Sequence, residues 1–185
     1  MSINPEPFLT VEDLDLMPDD GNRYELVGGE LHLSKTPGMI HQTTSGNVYY
    51  IIESFLRQNP IGVVVATPGV IFSNIDVVIP DLVFMETETV RMVVQADRIR
   101  GAPDLAIEIV SPGAETARRD RVAKRYLYAK FGVKEYWVVD PVARLIEIYL
   151  LDGAALMLSA TLGENEDITS TLLPGYKCRV GDFFA

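Results

Sequence analysis

The period of apolar and polar positions changes several times along the chain, and each change marks an element. Thr10 followed by Val11-Glu12-Asp13 reads as a helix start, with Thr10 as N-cap, Asp13 in the reciprocal position and an end near Met17-Pro18. Alternating runs at Tyr24-Glu25-Leu26-Val27 and Glu30-Leu31-His32-Leu33-Ser34 predict two strands, and Gly28-Gly29 between them predicts a tight hairpin. On that alternation Glu30 and His32 are expected to face solvent, whereas Glu25 is open to either a solvated or a functional role. From about Met39 to Arg57, Val48, Ile52, Phe55 and Leu56 recur at helical spacing, with Pro60 and Gly62 just beyond, which predicts a helix with His41 in its first turn.

Two short strands, 62–66 and 70–73, follow around Thr67-Pro68-Gly69 and lead into an apolar run, Val77 to Met85, interrupted by Pro80-Asp81. Residues 86–100 are polar and predict a loop with a short helix. Leu105 to Val110 reads as a strand buried on both faces, opened by Gly101-Ala102-Pro103 and closed by Ser111-Pro112-Gly113. From 115 to 131 the spacing is helical and Gly132 supplies the stop. Val122, Tyr126 and Ala129 form one face of this helix, while Asp120, Lys124 and Tyr128 fall on another at successive four-residue steps. Strands at 135–139, 144–150 and 155–162 form a meander turning at Asp152-Gly153, and the C-terminal remainder is expected to pack back on the sheet. This order predicts an α/β (α+β) fold, a central mixed sheet flanked by helices, in one domain spanning 1–185.

Two apolar runs each carry an acid. Glu108 breaks Leu105 to Val110, and Asp81 follows Pro80 in the preceding run. Isolated ionised carboxylates are too costly to bury, so each needs a metal, a cation, a hydrogen-bond network or a proton. If the two strands are neighbours, Asp81 and Glu108 share a divalent cation such as Mg²⁺, which favours carboxylate oxygens and keeps waters for chemistry. On this view the metal-free pair repels, and neutralising Asp81 is expected to relieve the folded state.

Composition narrows the partners. The net charge of −10 argues against a protein that coats nucleic acid nonspecifically. The most basic stretch is Arg118, Arg119, Arg121 and Arg125, a candidate phosphate contact on an otherwise acidic chain. A single cysteine, Cys178, leaves no internal disulfide or cysteine-built zinc site. No apolar run reaches the roughly 18 to 20 residues that span a membrane, and the N-terminus lacks the pattern of a secretory signal. A soluble, cytoplasmic protein without membrane association is expected. P-loop, Gly-x-Ser-x-Gly and His-Glu-x-x-His motifs are absent, so common nucleotide, serine and zinc chemistries lack support.

The ordered pieces Arg23-Tyr24-Glu25-Leu26-Val27-Gly28-Gly29-Glu30, Pro37 with His41, Pro80-Asp81-Leu82-Val83, Asp104 through Pro112, Asp120 with Lys124, and Tyr136 through Pro141 carry a resemblance. With them the chain resembles the PD-(D/E)xK nuclease superfamily, and within it the Uma-two branch of restriction-endonuclease-like proteins. The superfamily pattern wants a lysine two residues after the second acid, where this chain has Val110. In the Uma-two branch the lysine stands on the following helix, and Lys124 matches that position; by spacing alone, Asp120 and Lys124 would be a surface ion pair.

The resemblance implies a restriction-endonuclease-like fold and a DNA endonuclease dependent on Mg²⁺ or Mn²⁺. Asp81 and Glu108 would hold the metal, a main-chain carbonyl or Glu25 would complete the site, and Lys124 would orient or activate the attacking water. Because duplex cleavage needs two cuts, a homodimer is expected. A noncatalytic interaction module that keeps the fold, and a phosphoesterase for another substrate, are the alternatives.

Overall fold

The computed structural model describes residues 8–34, 36–111 and 115–185; the side chains of Ser34 and of residues 115–121 lie outside that description. The helices are α1 (Val11–Leu14), α2 (Met39–Gln58), α3 (Thr87–Val93) and α4 (Glu115–Phe131). The strands are β1 (Arg23–Val27), β2 (Glu30–Ser34), β3 (Gly62–Ala66), β4 (Val70–Ser73), β5 (Asp76–Val78), β6 (Leu82–Glu86), β7 (Val94–Gln95), β8 (Arg98–Arg100), β9 (Leu105–Ile109), β10 (Glu135–Asp140), β11 (Leu145–Asp152), β12 (Ala155–Gly163), β13 (Asp167–Ser170) and β14 (Leu173–Arg179), before a 3₁₀ turn at Val180–Phe184. Among the described residues no helix is long and apolar enough to cross a membrane.

The central sheet runs β12-β11-β10-β9-β6-β3 and is mixed, with β9 and β10 parallel and the other pairs antiparallel. α4 is the crossover between the parallel pair, as a parallel connection requires. Alternation along β9 divides the core. Leu105, Ile107 and Ile109 join Val48, Ile52 and Leu56 of α2 on one face. Ala106 joins Leu127, Tyr128 and Ala129 of α4 on the other. Glu108 falls in step with Ala106 and so points to the α4 side. The C-terminal segment packs back as expected, with Ile168, Leu173, Tyr176, Val180 and Phe183 buried in the α2-side core.

A second sheet, β2-β1-β5-β4-β8-β7, covers part of the α4 side, where its Val70, Val78 and Ile99 share the core with α4. The run from Val77 to Met85 is not one strand. It breaks at Pro80, and β5 belongs to the second sheet while β6 belongs to the central one. Pro80 withholds the backbone donor that a continuous ladder needs, so the chain changes sheets there and Asp81 sits at the switch.

The capping box at Thr10 and Asp13 forms, although α1 ends at Leu14, earlier than expected. Gly28 and Gly29 turn the β1–β2 hairpin at φ 61° and 79°, a conformation that favours glycine. The short helix expected within 86–100 is α3, and three features depart from the pattern of the chain. Residues 94–100 form the β7–β8 hairpin, turned by Ala96 and Asp97 at positive φ, with no glycine to signal it. On β2, Leu31 and Leu33 are exposed and His32 is half-buried, because β2 is the sheet edge and the register sets His32 opposite the buried Glu25. On α4, Val122 and Tyr126 are 55% and 75% exposed. The inward stripe is Lys124, Leu127, Tyr128 and Phe131, so a lysine occupies a core-facing position and masks the apolar period.

Candidate active site

The β6/β9 register pairs Leu82 with Ile107, and one further step places Asp81 opposite Glu108. Asp81 is buried and richly held. Its Oδ2 accepts from the Ile109 N–H at 2.8 Å and lies 3.0 Å from His41 Nε2, while Arg23 Nη1 lies 3.3 Å from its Oδ1. Burial raises the carboxyl's pKa, but the His41 contact, the Ile109 N–H and the nearby Lys124 outweigh it and hold the group below the ordinary carboxylate value. Asp81 is therefore an ionised acceptor, and the hydrogen between it and the imidazole sits on His41 Nε2. The other ring nitrogen, Nδ1, is buried and meets no partner among the described residues.

Glu25 comes from the second sheet. Its Oε1 accepts from the Ile79 N–H at 2.6 Å, just before the sheet switch, and lies 3.0 Å from Lys124 Nζ. Lys124 also reaches Glu108 Oε1 at 3.0 Å, and the Tyr128 hydroxyl donates to that same oxygen at 2.7 Å. The two ends of this pair differ. Lys124 is half-buried, and desolvation weakens its charge, but two carboxylates more than compensate and its pKa rises. Glu108 is pushed up to about 7, chiefly by burial and further by Asp81 and Glu25, against the opposing pull of Lys124 and Tyr128. One ammonium is shared between two acids, so Glu108 is under-compensated. The strain expected at Asp81 falls on Glu108 instead, because Asp81 has its own donors.

Four predicted residues, Glu25, Asp81, Glu108 and Lys124, are thus brought together, and Glu25 is buried rather than solvated. Glu30 is exposed, as expected. Asp120 and the side chains of Arg118, Arg119 and Arg121 lie outside the described residues. Arg125 stacks over the Tyr149 ring at 5.2 Å. Arg23 had no assigned role in the sequence. The signal for it was period two: Arg23 and Glu25 stand two apart on β1 and share a sheet face.

Among the described residues no three His, Cys, Asp or Glu side chains close into a metal cage. Mg²⁺ asks for less, since one or two carboxylates with waters and substrate phosphate suffice. Three carboxylates, Glu25, Asp81 and Glu108, face the fixed cations Lys124 and Arg23. The acid opposite Asp81 is the one whose charge is poorly held. Carboxylate oxygens are the donor type that a hard divalent cation takes.

No curated protein matches the chain. A crystal structure described as that of a putative nuclease belonging to DUF820 from Anabaena variabilis ATCC 29413 shares the fold, with a TM-score of 0.78 at 17% identity over 95% of this chain and 97% of that one. The family model described as Uma2, putative restriction endonuclease, matches residues 11–181, a span that includes every residue of the acid–lysine cluster. The chain belongs to the Uma2 family.

Proposed function

We propose that the protein is a DNA endonuclease that hydrolyses phosphodiester bonds with Mg²⁺ or Mn²⁺ held by Asp81 and Glu108. The observation that carries this reading is the convergence of Asp81, Glu108 and Lys124, with Glu108 under-compensated in the absence of a metal. A bound cation polarises the scissile phosphate and lowers the pKa of a coordinated water. Lys124, with its charge held by two carboxylates, acts as a hydrogen-bond donor that orients the attacking water and offsets charge on the phosphate. Glu25 fixes the ammonium, Tyr128 fixes Glu108, and His41 with the Ile109 N–H fixes the Asp81 carboxylate.

The net charge of −10 makes DNA binding weak and salt-sensitive. Cutting both strands of a duplex calls for two sites, and a cytoplasmic homodimer supplies them. The test is incubation of purified protein with supercoiled plasmid, duplex oligonucleotide and RNA, in Mg²⁺, Mn²⁺ or chelator. Metal-dependent nicking of plasmid is expected. Inertness on all substrates would leave a noncatalytic module with the nuclease fold.

A further inference from the structure

Asp81 presents its two oxygens differently. Oδ2 is saturated by the Ile109 N–H and the His41 imidazole, both buried with it. Oδ1 meets Arg23 alone among the described residues. That contact is the loosest in the cluster, at 3.3 Å, beyond the 2.7–2.9 Å or so of a well-formed charge-assisted hydrogen bond. Arg23 is also the most exposed member, its side chain 24% accessible against 15% for Lys124 and 5% for Asp81. A guanidinium has five N–H donors in a fork suited to phosphate, and among the described residues one of them is engaged, by Asp81.

We infer that Arg23 holds the cation's place on Asp81 Oδ1 in the metal-free protein and turns to the substrate phosphate once a divalent cation takes that oxygen. The inference rests on the metal reading above and adds a substrate contact to it. A positive charge on Oδ1 opposes an incoming cation, so the two compete for one atom. Displaced, the guanidinium remains tethered to β1 beside Glu25, next to the acids that would hold the cation. The move exchanges one ion pair for another without leaving Asp81 uncompensated, since the cation replaces the arginine.

Two binding measurements on the full chain test this without turnover. Titration calorimetry with Mn²⁺ alone should show Arg23→Gln binding the metal roughly two- to fivefold more tightly than the parent, since a weak competitor is gone. Binding of a duplex oligonucleotide in Ca²⁺ should be weaker for the variant, with the slope of log affinity against log salt smaller by about one. Weaker Mn²⁺ binding in Arg23→Gln would mean that the arginine merely orients Asp81, and an unchanged salt slope would mean that it never meets phosphate; either result overturns the inference. Should Arg23→Gln fail to fold, Arg23→Met, which keeps an unbranched stem without the charge, carries the same two measurements. A parent that binds no Mn²⁺ overturns the metal reading and this inference together, whereas a parent that binds Mn²⁺ and nicks DNA while Arg23→Gln binds the metal more weakly overturns this inference alone.

Discussion

Lys124 Nζ lies 3.0 Å from Glu108 Oε1 and the same distance from Glu25 Oε1, so one ammonium from α4 is divided between an acid of the central sheet and an acid of the second sheet. The two carboxylates hold the lysine firmly charged, whereas burial first, and then the neighbouring Asp81 and Glu25, keep Glu108 from being firmly ionised. The sharing also ties α4 to both sheets at the point where the chain crosses between them.

Replacing Glu108 by glutamine should stabilise the metal-free protein above neutral pH. Glu108 sits at about 7 in the fold against an ordinary 4.5. For a raised carboxyl the folded state keeps the proton that the unfolded chain gives up, so stability is fully present below about 4.5 and is lost as pH rises through about 7. Glu108→Gln removes that loss and keeps an acceptor for Tyr128 and Lys124. Thermal melts in chelator should show the variant higher than the parent at pH 8, by roughly 4 to 8 °C for a penalty on the order of 2 kcal/mol, and the gap should close toward pH 5. A variant that melts below the parent at pH 8 contradicts the assignment of strain to Glu108.

Asp81→Asn should do the opposite. The carboxylate is held by His41, the Ile109 N–H and Arg23, and its pKa is depressed, so its contribution is present above the ordinary 3.8 and is lost as pH falls through the lower folded value. Denaturant unfolding in chelator at pH 7 should show a loss of about 1 to 3 kcal/mol. Equal stability of variant and parent would mean that these donors contribute nothing net.

Tyr128→Phe removes a hydroxyl donor from Glu108 Oε1 and leaves the ring in the α4-side core. The tyrosine itself stays protonated, since burial and then Glu108 raise its pKa well above the ordinary value. Without that donor Glu108 rises further, so a cation must displace its proton at greater cost. Mn²⁺ affinity by calorimetry should fall roughly three- to tenfold at pH 6.5, with a smaller difference at pH 8.5 where Glu108 is ionised in both proteins. A loss of equal size at both pH values would point to altered packing instead.

Much of this architecture was legible in the chain. Gly28-Gly29 announced the first hairpin, Val48, Ile52 and Leu56 the inward face of α2, and Glu108 stood out because nothing else breaks the apolar run of β9. The site itself was half legible. Asp81 and Glu108 show as acids among apolar residues, but their meeting depends on β6 lying beside β9, a pairing between distant segments. Lys124 was legible only through the family resemblance, because spacing alone reads it as half of a surface ion pair with Asp120, whereas it takes a core-facing position on α4 and the apolar residues Val122 and Tyr126 are exposed. Pro80 signalled a break, yet that the chain changes sheets there is a property of the whole fold. Ala96-Asp97 carries no turn residue strong enough to mark the β7–β8 hairpin.

The most direct test of the account is the initial rate of supercoiled-plasmid nicking in Mg²⁺ or Mn²⁺ by the parent, Glu108→Gln and Lys124→Ala, purified alike and checked for folding. The account predicts metal-dependent nicking by the parent that chelator abolishes, no nicking by Glu108→Gln despite its greater stability, and turnover in Lys124→Ala reduced more than its Mn²⁺ affinity. Nicking by Glu108→Gln at the parent's rate would contradict it, since the activity would then come from elsewhere.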